Sequence, residues 1–113
     1  MRSFILNENE MNEMAKRQPT PFLMLSVDRV AENYAFLRKH LPRAGIYYAI
    51  KANPHPRVLE RLFALDSHFD VASAGEMEML HAIGVDGSRM IYANPVHDAR
   101  GFSAASRLGV RRF

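Results

Sequence analysis

Lys51 ends an apolar, β-prone run, "GIYYAIK", and the residues after it, "ANPHP", bring two prolines that stop any strand or helix. A cation in that place is either a solvated strand end or an amine held in a partly dry pocket. A desolvated lysine sheds its proton more readily, and the free amine can attack a carbonyl to form a Schiff base. Asp70, in the strand-like run "HFDVAS", is the carboxylate that could lie beside it. Other chemistries find no support. The chain has no cysteine, which excludes disulfides, Cys-ligated zinc and thiol nucleophiles within it. Its histidines, His40, His55, His68, His81 and His97, lack HExxH or similar spacing, so no metal site is expected. His55 and His97 read as solvated loop residues, and His81 as core or rim.

Composition narrows the setting. With 113 residues, 48% hydrophobic and 24% charged, the chain allows one soluble globular domain at most. The net charge of +3 is spread among acids, with only Lys16/Arg17, Arg38/Lys39 and Arg111/Arg112 as basic neighbours. Phosphate backbones call for a concentrated basic face, so no nucleic-acid partner is expected. The N-terminus turns polar and acidic after six residues, too soon for a signal peptide. No apolar run approaches the about 20 residues of a membrane span. No membrane contact and a cytoplasmic location are the expectations.

The elements that must position Lys51 and Asp70 follow from periodicity. Residues 1–25 form a lead: a helix over about 7–17 with Met11 and Met14 on one side, then "QPTPFLMLS" as a short strand entered through Pro19 and Pro21. "SVDRVAENYAFLRKHLP" is an amphipathic helix with Val30, Tyr34, Leu37 and Leu41 on one face, capped by Ser26 or Asp28 and ended by Pro42. Strand-like runs then begin near Ile46, His68, Met90 and Val110, at separations of 22, 22 and 20 residues. A helical segment follows each of the first three. Their apolar faces are Val58, Leu59, Leu62 and Phe63; then Met77, Leu80 and Ile83; then Phe102, Ala105 and Leu108. Gly84 and Gly109 sit where helix C-termini favour left-handed backbone.

Strand and helix alternating at a short constant period predict βαβ units and a parallel sheet, so the class is α/β. A dinucleotide-binding sheet would carry a glycine-rich turn after its first strand, and "KANPHP" has no glycine. The even period favours a (β/α)8 (TIM) barrel, which needs about 250 residues. The expectation is three βα units and the start of a fourth strand over residues 26–113, the N-terminal part of something longer. Barrel chemistry gathers at the C-terminal strand ends. Those ends carry Lys51 and Asn53, Asp70 and Ser73, and Tyr92 and Asn94. Alternation places Tyr47, Ala49 and Lys51 on one strand face, with Lys51 in the barrel mouth if the more apolar face meets the helices.

"YYAIKANPHP" resembles the cofactor-attachment motif of the fold-type III pyridoxal-phosphate decarboxylases, the ornithine, lysine and diaminopimelate group. The likeness continues in order through "SHFDVASAGEMEML", "GVDGSRMIYANPVHDARG" and "GVRRF", spanning roughly residues 19–113. "YANP" is most like the ornithine and lysine branch, and the whole most like its bacterial members. The resemblance implies a partial pyridoxal 5'-phosphate-binding barrel with Lys51 as the Schiff-base lysine. It further implies Asp70 beside the cofactor, Glu76 supporting the pocket and Ala49 as the small residue that admits the ring. For Ser73, Asn53 and Asn94 only strand-end position is inferred, and loop capping suits them equally well.

The activity so implied is decarboxylation of a basic amino acid, ornithine or lysine, to a diamine in polyamine biosynthesis, by a cytoplasmic homodimer. The family's ring-stacking histidine, glycine-rich phosphate loop, pyridine-nitrogen glutamate and phosphate arginine match no position up to residue 113. The chain alone is therefore expected to lack useful turnover. The alternatives are a non-catalytic decarboxylase-like cofactor carrier or regulator, a structural fragment, and an amino-acid racemase. From the last, "NPHP" departs, because the racemase motif continues with an A-Y-G-H type stretch.

Overall fold

A computed structural model describes residues 6–113. The expectations for residues 1–5 lie outside the described residues. Helix α1, Glu8–Arg17, starts at a capping box in which Asn7 accepts from the Glu10 N–H and Glu10 accepts from the Asn7 N–H. It buries no residue.

The run "QPTPFLMLS" forms no strand. Pro19 and Pro21 remove two donors, and no neighbouring edge pairs with the segment, so its backbone has nothing to form a ladder with. Leu23 is consequently fully exposed.

Helix α2, Val27–His40, is capped by Ser26, whose Oγ accepts from the Arg29 N–H. Tyr34 is its buried residue, whereas Leu37 and Leu41 of the expected apolar face are exposed. Next come β1 (Tyr47–Ala49), α3 (Pro56–Ala64), β2 (His68–Asp70), α4 (Ala74–Ala82), β3 (Met90–Ile91) and α5 (Ala99–Leu108). The three strands form a parallel sheet in the order β1-β2-β3. The expected fourth strand is reduced to one parallel bridge, Ile91 to Arg112.

Alternation is visible in burial. Phe69, Val71, Met90 and Tyr92 are buried on the helix-covered side, while His68, Asp70 and Ile91 on the other side are only partly covered. Val58, Leu59 and Leu62 of α3, Met77 and Leu80 of α4, and Ala104 and Ala105 of α5 complete the core. Helix α2 packs on α3, and α4 packs on α5.

Two stripe assignments change. Phe102 is exposed, and Gly101 and Ala104 take inward positions of α5; at Gly101 an added Cβ would meet the Tyr92 hydroxyl and ring. His81 is exposed rather than core or rim, and Met79 is exposed where its neighbour Met77 is buried. Gly84 and Gly109 adopt φ of 87° and 77° after their helices, the left-handed backbone expected there.

Candidate functional site

Strand β1 is shorter than its β-prone sequence. It stops at Ala49, and Ile50–Ala52 form a 3-10 turn in which Ile50 is fully buried. Lys51 therefore lies in that turn rather than on the strand, and strand alternation does not set its direction. The turn ends on two ties. Tyr48 donates its hydroxyl to the Asn53 carbonyl at 3.1 Å, and Asn53 Oδ1 accepts from the His55 N–H at 3.0 Å. Burial raises the Tyr48 hydroxyl above its ordinary range, against the smaller opposing effect of its bond to the Asn53 backbone. His55 caps α3 by accepting from the Arg57 N–H at 3.2 Å, so it is more than a solvated loop residue.

Lys51 nevertheless reaches the C-terminal end of the sheet. It lines a cavity of about 60 Å³ together with Asp70, Ala72, Glu76, Ala93, Asn94 and Pro95. Ala49 stands opposite Asp70 in the ladder. Lys51 is exposed, Asp70 and Glu76 are partly covered, and among the described residues Lys51 makes no hydrogen bond or ion pair. An amine that lines one cavity with two carboxylates and is locked to neither is free to form a covalent bond to an aldehyde carbon.

The far wall is built on one residue. Ala72 donates its N–H to Glu76 Oε2 at 2.5 Å, while its carbonyl accepts from Asn94 Nδ2 at 3.0 Å. Ser73 caps α4 by accepting from the Glu76 N–H at 3.3 Å. The S-x-x-E spacing at Ser73 and Glu76 is the sequence signal for the helix start, although Glu76 reaches the Ala72 N–H rather than the Ser73 N–H of a capping box. Asn94 also donates to the Val96 carbonyl at 2.8 Å and accepts from the Val96 N–H at 3.4 Å, which folds the loop after β3 back on itself.

Ser73 and Asn94 also line a separate, larger space of about 510 Å³ with Tyr92, Asp98 and Arg100. His97 packs its ring on Tyr92 at 4.5 Å and on Phe102 at 5.0 Å, away from Lys51. Among the described residues no cluster of His, Cys, Asp and Glu could hold a metal ion. No described helix is long and apolar enough to cross a membrane.

A family model described as "Pyridoxal-dependent decarboxylase, pyridoxal binding domain" matches residues 27–113. The lysine/ornithine decarboxylase of Selenomonas ruminantium is 65% identical over the whole chain, which covers 29% of that protein. The crystal structure of SrLDC in complex with PLP and cadaverine matches the whole chain with a TM-score of 0.96 at 65% identity, over 30% of its own length. A lysine/ornithine decarboxylase from Vibrio vulnificus, complexed with cadaverine, matches 93% of the chain with a TM-score of 0.84 at 29% identity, again over 30% of its length. The chain thus spans under a third of the relatives it matches.

Proposed function

The chain belongs to the pyridoxal-dependent decarboxylases, and from that premise we propose that residues 26–113 are the tether-bearing part of a lysine or ornithine decarboxylase. The fold is that of the N-terminal part of the barrel in the matched decarboxylases. The observation that carries the reading is the single cavity shared by Lys51, Asp70 and Glu76 at the C-terminal end of β1 and β2.

The residues present fit the aldehyde end of pyridoxal 5'-phosphate: one unpaired amine, carboxylates beside it and a small residue, Ala49, next to Asp70. No arginine or glycine lines that cavity, so the phosphate end needs groups other than these. When bound, pyridoxal phosphate supplies the electron sink that lets the α-carboxylate of an amino acid leave as CO₂.

The chain's own residues then have distinct tasks. Lys51 Nζ would hold the group at its aldehyde carbon, the aldehyde oxygen leaving as water with two of the nitrogen's hydrogens. Asp70 supplies a negative charge at the mouth that holds a proton on a nearby nitrogen. Ala49 keeps the space above Asp70 clear for a flat ring. Glu76 holds the wall through the Ala72 N–H.

The substrate is a basic amino acid, lysine or ornithine, and the product a diamine that enters polyamine formation in the cytoplasm. On this reading the working enzyme is a homodimer, and the 113 residues alone do not turn over. The test measures CO₂ release from lysine and ornithine by a longer chain containing these residues, with and without Lys51→Ala. Release that Lys51→Ala abolishes is expected. Cofactor binding without release from either amino acid would overturn the proposal.

A further inference from the structure

Among the described residues, Asn94 joins the loop after β3 to the loop after β2 by a side-chain hydrogen bond. Its Nδ2 donates to the Ala72 carbonyl, 22 residues away in sequence, and to the Val96 carbonyl, and its Oδ1 accepts from the Val96 N–H. It is partly covered and lines the same cavity as Lys51, Asp70 and Glu76. Ala72 is therefore held on both sides, its N–H, in the peptide shared with Val71, by Glu76 and its carbonyl, in the peptide shared with Ser73, by Asn94.

That residue lies two positions past Asp70, where β2 leaves the sheet. Beyond Asp70 the ladder continues only through the Val71 N–H, which donates to the Ile91 carbonyl. With the strand ending at Asp70, the Glu76 and Asn94 side-chain bonds hold the chain where it leaves the sheet, next to the Asp70 that shares a cavity with Lys51. A neutral asparagine suits this task, because it offers a donor to the carbonyls without adding a third carboxylate beside Asp70 and Glu76.

We infer that Asn94 is a positioning residue for the Lys51 site, acting through the Ala72 carbonyl on Asp70; the inference rests on Lys51 being the cofactor tether. It touches neither the amine nor the carboxylate through any hydrogen bond and is not a catalytic group.

The chain contains three lysines, Lys16, Lys39 and Lys51, so site selectivity can be read directly. The full chain is treated with pyridoxal phosphate, reduced with borohydride, and the pyridoxyl label on each lysine is measured by mass spectrometry. Selective labelling of Lys51 is expected. Asn94→Leu, which keeps bulk and removes the donor, lowers the ratio of Lys51 label to Lys16 and Lys39 label by about three- to tenfold, the equivalent of one or two hydrogen bonds. Asn94→Ala does the same and serves if the leucine variant does not fold. Leu62→Val, a core change remote from the loops, leaves the ratio unchanged. In an Asp70→Asn background, Asn94→Leu has no further effect, because its route to Lys51 is already gone.

Even labelling of all three lysines in the unaltered chain would overturn the tether reading itself. Selective labelling that survives Asn94→Leu or Asn94→Ala in folded protein would overturn the role of Asn94 alone. Additive losses in the double variant would overturn its action through Asp70.

Discussion

Ala49 and Asp70 face each other across the parallel pair β1–β2, and Lys51 follows Ala49 by two residues in the turn that ends β1. A methyl opposite a carboxylate takes up little room on the only partly covered side of the sheet. Ala49→Leu adds bulk there. Pyridoxal-phosphate labelling of Lys51 is expected to fall by more than about tenfold, the order of a cost of 1–3 kcal/mol for crowding a packed site. Labelling of Lys16 and Lys39 in the same sample supplies the reference.

Removing the amine itself should be nearly silent in stability. Lys51 is exposed and has no partner among the described residues, so Lys51→Ala changes unfolding by no more than about 0.5 kcal/mol. It abolishes the label at position 51. Urea unfolding and mass spectrometry on one preparation check both halves. A large loss of stability would mean that the turn depends on the lysine for more than chemistry.

Lys51 was legible because a charge after an apolar run, followed by prolines, is locally odd, and because the surrounding motif is specific. Asp70 was expected near Lys51 because it lies on the neighbouring strand-like run, and the two line one cavity. The tie from Asn94 to Ala72 was not legible, since 22 residues and two loop paths separate them. Asn94 was read only as a strand-end residue that could cap its own loop, which it also does through Val96. The strand expected in "QPTPFLMLS" failed for a related reason. Its local preference is β, but a strand exists only where a second edge pairs with it.

Glu76 is expected to act on the fold as well as the site. Its carboxylate accepts the Ala72 N–H, so Glu76→Ala leaves that donor without its partner at the start of α4. The cost is about 1 kcal/mol, the usual scale for a lost helix N-terminal bond. Glu76→Gln keeps an acceptor and recovers most of the loss. Thermal unfolding of the two variants separates the hydrogen bond from the charge.

Two glycines should respond in opposite directions to one methyl group. A Cβ at Gly101 would collide with the hydroxyl and ring of Tyr92, which is itself buried, so Gly101→Ala costs about 1–3 kcal/mol. At Gly75, in the first turn of α4, the nearest atom to an added Cβ is Ser73 Oγ at 3.9 Å. Gly75→Ala is therefore sterically free and stabilises by about 0.4–1 kcal/mol, through a less disordered unfolded chain. Midpoints of urea unfolding shifted in opposite directions are the expected result.

His68 gives the fold a dependence on pH. It opens β2 with its ring 5.0 Å from that of Tyr47, and burial lowers its pKa below the ordinary value. Arg89, Arg112 and Arg38 lower it further, and Asp66 opposes them. The folded state therefore prefers neutral His68, while the unfolded chain takes up a proton at about pH 6.5. Above that pH both states are neutral and the group contributes nothing. Below it the unfolded state gains a proton that the folded state resists, so stability falls as pH drops through the folded pKa. His68→Gln should flatten this part of the stability curve between about pH 7 and 5 and leave the acid limb of the carboxylates in place. An unchanged slope in that window would place the effect on the other histidines.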